Sequence, residues 1–108
     1  MQKAKPYFYT DLFFTAIETG LYWAELYDYD SLESVAIIRA HDETKIRKVE
    51  PELFKKAFEA LENNTYKGSI PDSLKERYLR QFKEDDADFD AIDASNLLQI
   101  ALYNEIVF

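Results

Sequence analysis

Residues 84–93 read EDDADFDAID, and six of those ten positions are carboxylates: Glu84, Asp85, Asp86, Asp88, Asp90 and Asp93. No basic residue falls among them. Such a run can ligate a cation, imitate a phosphate backbone, or open a helix. An EF-hand loop needs oxygen ligands at positions 1, 3 and 5, glycine at 6 and a bidentate glutamate at 12. Counted from Asp86, the ligands Asp88 and Asp90 fall correctly, but position 6 is Ala91 and position 12 is Leu97. Half the signature fails, so no metal or other cofactor is expected beyond an irregular cation site.

The phosphate-mimic reading asks for many carboxylates held on one outer surface, because duplex DNA carries about one negative charge per 1.7 Å of axis. The run supplies part of such a surface together with Asp28, Asp30 and Glu33, although Lys75, Arg80 and Lys83 lie close in sequence. The third reading asks least. Aspartates before a helix accept hydrogen bonds from its unpaired N–H groups and complement its dipole. Asp90 or Asp93 would do this for a last helix, and Glu84 to Asp88 would solvate the connection leading to it.

A second constellation is LYWAELYDYD, which sets Trp23, Tyr27 and Tyr29 beside carboxylates. Tyrosine and tryptophan dominate interface hot spots. The plainer alternative makes Trp23 and Tyr27 core and rim residues of a first strand. The candidate partner-binding residues are therefore Asp85, Asp86 and Asp88, with Trp23, Tyr27 and Tyr29 as possible anchors.

Nothing nominates a catalytic residue. The one histidine, His41, falls in an expected turn with no second histidine to help it. Ser31, Ser34, Ser69, Ser73 and Ser95 show no nucleophile-elbow pattern. Gly20 and Gly68 are the only glycines, too few for a phosphate-cradling loop, and the absence of cysteine removes thiolate chemistry and disulfides. An enzyme is not expected.

The elements that must carry these residues follow from periodicity. Leu12, Phe13, Ala16 and Ile17 share one face of a short helix capped by Thr10, with Gly20 placed where a left-handed residue would end it. Three strands follow around Ala24 and Leu26, around Ala36 and Ile38, and around Ile46 and Val49, joined by short polar turns, which implies an antiparallel meander. Pro51 then opens a helix with Leu53, Phe54, Ala57, Phe58 and Leu61 on one stripe, and Asn63 and Asn64 close it. Pro71 begins another, burying Leu74, Tyr78, Leu79 and Phe82. The last, through Leu97, Leu98, Ile100, Ala101 and Leu102, is apolar on most sides and so is expected at the centre, with Ile106 to Phe108 tied into the core. The expected fold class is α+β: an N-terminal helix, a three-stranded antiparallel meander and three C-terminal helices, in a single domain over residues 1–108.

That size and a 47% hydrophobic, 16% aromatic composition suit one packed core. Two lysines precede the first apolar stretch, but Asp11 and Glu18 interrupt it and no cleavage site follows, so a cytoplasmic location is expected. The balance of 21 acidic against 13 basic residues gives a formal charge of −8. It opposes nucleic acid and anionic membranes and favours a protein partner with a basic surface.

The stretches FFTAIETGLYWAELYDYD and DAIDASNLLQIALYNEIVF together resemble a family of small acidic proteins carried by phages, prophages and conjugative elements. The first is similar to that family's opening, a helix ending in glycine before a Tyr-Trp-Ala step. The second is similar to its close, Ala-Leu-Phe-Gly-Glu-Ile-Val-Tyr-Gly. Ala101, Leu102, Glu105, Ile106 and Val107 match it, Tyr103 and Asn104 replace Phe and Gly, and the final Gly is absent. The family has no assigned activity, so the resemblance carries over no catalytic residue. It implies a mobile genetic element, and with the charge it points to a non-enzymatic accessory protein that occupies a host protein, such as an inhibitor of a CRISPR or restriction system. The alternative is a self-associating module using Phe8, Tyr9 and Ile106 to Phe108.

Overall fold

The structure, a computed structural model, describes residues 6–108, with side chains from Tyr7 onward. Lys3 and Lys5 of the opening stretch lie outside the described residues. Helix α1 (Pro6–Thr19) is followed by strands β1 (Ala24–Asp30), β2 (Val35–Ala40) and β3 (Arg47–Val49). A 3-10 turn at Pro51–Leu53 leads into α2 (Phe54–Asn63), and α3 (Asp72–Lys83) and α4 (Ala91–Tyr103) complete the chain. This is the expected α+β arrangement. No described helix is long and apolar enough to cross a membrane.

Helix α1 starts four residues before Thr10, since a proline at the first position loses no helical hydrogen bond. It buries Phe8, Leu12, Phe13, Ala16 and Ile17. Its end differs from expectation. Gly68, not Gly20, is the glycine with positive φ, and the Gly20 amide continues the helical pattern by donating to Ala16 O at 3.0 Å. What Gly20 provides is room: a Cβ there would lie 3.0 Å from both Ala16 O and Ala91 O and 3.3 Å from Ser95 Cβ. The end of α1 and the start of α4 touch through this gap. Gly20→Ala is expected to cost about 1–3 kcal/mol by overpacking, read as a lower denaturation midpoint. An unchanged midpoint would mean the two backbones part freely.

The three strands pair in sequence order, both pairs antiparallel. Ala36, Ile38, Ala40 and Val49 form the fully buried inner face, in one core with the buried side chains of the helices. The β1–β2 register runs Leu26↔Ile38 and then Asp28↔Ile37, so Tyr27 is the extra residue of a bulge. The bulge reverses the alternation beyond it. Tyr29 falls opposite Ala36 and turns inward, where its ring meets Phe13 at 6.3 Å.

Helix α4 packs on α1 and α2, the central place expected of a helix apolar nearly all round. Asn64 and Asn104, both left-handed, end α2 and α4. A ring cluster ties the helices: Phe58 stacks on Phe82 at 4.7 Å, and Phe8 meets Phe58, Phe82 and Phe89 edge-on at 5.4, 5.5 and 5.9 Å. Phe89 comes from the middle of the acidic run, so that connection is nailed to the core.

Candidate functional site

The acidic run divides into an inner and an outer part. Asp90 caps α4 by accepting from the Asp93 amide at 2.8 Å. Asp93 is buried, and its Oδ1 accepts from Arg77 Nη2 at 2.8 Å and from the Tyr78 hydroxyl at 2.7 Å. Asn96 Nδ2 also donates to that hydroxyl, at 3.1 Å. Burial first, with the bond to Asp93 adding, raises the Tyr78 hydroxyl well above the ordinary tyrosine range. Asp93 thus ties the first turn of α4 to the middle of α3.

Glu84, Asp85, Asp86 and Asp88 remain exposed on the connection between those helices. Its backbone is fixed locally. Asp85 adopts φ +56°, the Asp86 amide donates to Gln81 O at 2.8 Å, and the Asp86 carboxylate accepts from the Asp88 amide at 3.1 Å. Gln81 Nε2 reaches the carbonyls of Asp86 and Asp88 at 3.4 and 3.2 Å. Two of the three EF-like oxygens, on Asp86 and Asp90, therefore face backbone amides. Among the described residues no three His, Asp or Glu side chains converge as a metal site.

The aromatic candidates part company. Trp23 is 3% exposed, donates from Nε1 to Ser95 Oγ at 2.9 Å, and stacks on Phe108 at 5.1 Å with the rings 8° apart. It belongs to the core, so it is not an anchor for a partner. Tyr29 is half-buried and donates to Glu18 Oε2 at 2.5 Å; desolvation, then that bond, push its hydroxyl up to about 12. The bulge separates it from Tyr27, which lies with Arg39 on the outer face of the sheet. Tyr27 is 50% exposed, and its hydroxyl accepts from Arg39 Nε at 2.6 Å. Of the six candidate residues, Asp85, Asp86, Asp88 and Tyr27 are presented to solvent, in two separate places.

The inward roles of three polar residues of α4, Asp93, Ser95 and Gln99, escaped sequence reading. Gln99 Nε2 donates to Ser95 Oγ at 3.1 Å, and its Oε1 accepts from the amides of Val107 and Phe108 at 2.9 and 2.6 Å. The available signal was these polar residues, two and four places apart, along a helix with no polar face, since each must find a partner inside. A fourth polar node joins the β2–β3 turn to the end of α4. Glu43 accepts from Arg47 at 3.3 and 3.2 Å and from the Tyr103 hydroxyl at 2.8 Å, and the Arg47 guanidinium lies 4.7 Å from the Tyr103 ring centre. Arg47 first, then Tyr103, hold the Glu43 carboxyl below its usual range. Burial and Glu43 push Tyr103 up to about 12.

These nodes bind structure to structure, and Ser95 and His41 share that character. The Ser95 oxygen is occupied by Trp23 and Gln99, and exposed His41 donates its backbone amide to Trp23 O at 3.0 Å. No protein-family model, curated protein or solved structure matches this chain.

Proposed function

We propose that the chain is a non-enzymatic accessory protein of a phage or other mobile element that works in the host cytoplasm by occupying a basic surface of a host protein. The nucleic-acid groove of a defence nuclease, of the CRISPR or restriction kind, is the surface its charge fits. The observation carrying this reading is the α3–α4 connection, where Glu84, Asp85, Asp86 and Asp88 are displayed on a backbone already fixed by Gln81 and anchored by Phe89. A preset acidic loop loses little entropy on docking and steers a basic partner from a distance. The resemblance to small acidic mobile-element proteins supports the same reading. Self-association through Phe8, Tyr9 and Ile106 to Phe108 has less to draw on: Phe8 is buried, Tyr9 and Ile106 are half-buried, Phe108 lies against Trp23, and of the five Val107 alone is exposed, at 50%.

The test replaces charge without disturbing shape. Asparagine tolerates the left-handed backbone at 85 and can accept the Asp88 amide at 86. Wild type and an Asp85→Asn, Asp86→Asn, Asp88→Asn variant, matched in melting temperature, are immobilised and exposed to host lysate. The expected result is capture of a basic, nucleic-acid-handling protein by wild type, weakening with added salt, and loss of about tenfold or more in the variant. Equal capture by both would leave the loop as a solvated connection and remove the reading.

A further inference from the structure

The β1–β2 hairpin presents a second surface. Residues 24–34 contain Glu25, Asp28, Asp30 and Glu33 and no lysine or arginine. Its turn is fixed from within: the Asp30 carboxylate accepts from the amides of Leu32 at 3.0 Å and Glu33 at 3.1 Å, and Ser34 follows at φ +55°. This turn lifts Leu32 to 95% exposure, so the side chain contributes nothing to the core. Tyr27, 50% exposed, stands further down the hairpin on the outer face of the sheet, while Leu26, opposite Ile38, lies on the other side. The Tyr27 ring is preset by Arg39, whose Nη1 is itself held by Glu43 O at 2.7 Å. Single exposed apolar residues are ordinary on protein surfaces. Leu32 is different: it stands at the tip of a fixed turn between Asp30 and Glu33, with Asp28 nearby on the same hairpin, the layout of an apolar anchor with a charged rim.

We propose that this hairpin docks into a partner protein whose surface offers an apolar pocket ringed by lysine and arginine, with Leu32 filling the pocket and Asp28 and Glu33 meeting the rim, Glu25 being paired with Arg39 at 3.3 Å. The inference rests on the reading that this acidic chain binds a basic host protein, and it adds the apolar component and its place. Charge selects the occupant. A second hairpin of the same chain brings carboxylates against carboxylates, and an anionic membrane repels it.

The test uses two synthetic peptides of equal positive charge, one alternating leucine with lysine and the other serine with lysine, titrated into isotopically labelled protein and followed by amide NMR. The leucine peptide is expected to shift residues 26–33 and to bind about tenfold tighter than the serine peptide, the scale of one buried leucine. Leu32→Ser, at a position that packs on nothing, should keep the fold and abolish that advantage. Equal binding of the two peptides, shifts confined to residues 84–88, or an advantage surviving Leu32→Ser would each overturn the hairpin proposal. So would concentration-dependent self-association lost in Leu32→Ser, which would give the surface to a second copy. In the lysate experiment, Leu32→Ser should reduce capture. Full capture by Leu32→Ser with none by the triple asparagine variant would sink the hairpin and leave the acidic-loop reading standing.

Discussion

Asp93→Ala is expected to lower the melting temperature by about 10 °C, a loss of about 2–3 kcal/mol for a chain of this size. Asp93 is 6% exposed, and alanine there leaves the fully buried Tyr78 hydroxyl without its charged acceptor. Arg77 contributes less, because its side chain is 43% exposed and its guanidinium can turn to water. Asn96 still donates to Tyr78, so the hydroxyl would face a donor and have nowhere to give its own proton. Asp93→Asn restores an acceptor without the charge and should recover about half of the loss. A double-mutant cycle with Tyr78→Phe separates the two contributions: the coupling should exceed about 1 kcal/mol if the buried bond dominates. A shift of only a degree or two in Asp93→Ala, measured by circular dichroism, would mean water reaches Tyr78 and the node is ornamental. The same clamp holds both ends of the acidic connection. Hydrogen exchange at residues 84–90 should therefore quicken in Asp93→Ala before the helices themselves loosen.

The periodic elements were legible because each rests on a local rule. The α2 stripe of Phe54, Ala57, Phe58 and Leu61 is buried as its 3.6-residue spacing requires, and the alternation of Ala36 and Ile38 against Val35 and Ile37 places β2 correctly. What escaped were features decided by a second segment. Gly20 looks like a helix terminator, yet the need for it comes from Ala91 and Ser95, 71 and more residues away, crossing at close range. The bulge at Tyr27 separates two tyrosines that a straight strand would place on one face. Nothing in the local pattern marks it, because a bulge is a property of the pair of strands.

The acidic run shows the same limit within ten residues. Helix-start chemistry predicts the capping role that Asp90 takes. It gives no means of separating Asp93, drawn inside by Arg77 and Tyr78, from Asp85, Asp86 and Asp88 on the outside, since both groups share one composition. Trp23 fails as an anchor for a related reason. Its indole proton goes to Ser95, on a helix 72 residues further along.

Gln99→Ala is expected to release the C-terminal segment from the core at a cost of about 3 kcal/mol. One side-chain carbonyl there accepts the amides of both Val107 and Phe108, and Gln99 is fully buried, so alanine removes the acceptor of two bonds and opens a space beside Ser95. Phe108 lies parallel over Trp23 beside those tied amides, and Tyr103 closes the trio edge-on at 6.1 and 5.9 Å. Trp23, the single tryptophan of the chain, reports the change. Its emission should move to longer wavelength and its quenching by a small neutral solute should rise, while the α-helical circular dichroism stays near wild type at low temperature. Gln99→Met fills the space without the acceptor and divides the effect. If the two bonds matter, the methionine variant still loses protection at the Val107 and Phe108 amides while regaining part of the stability. Wild-type amide protection in Gln99→Met would show that packing of Phe108 on Trp23 alone holds the segment, and that Gln99 follows it rather than fixing it.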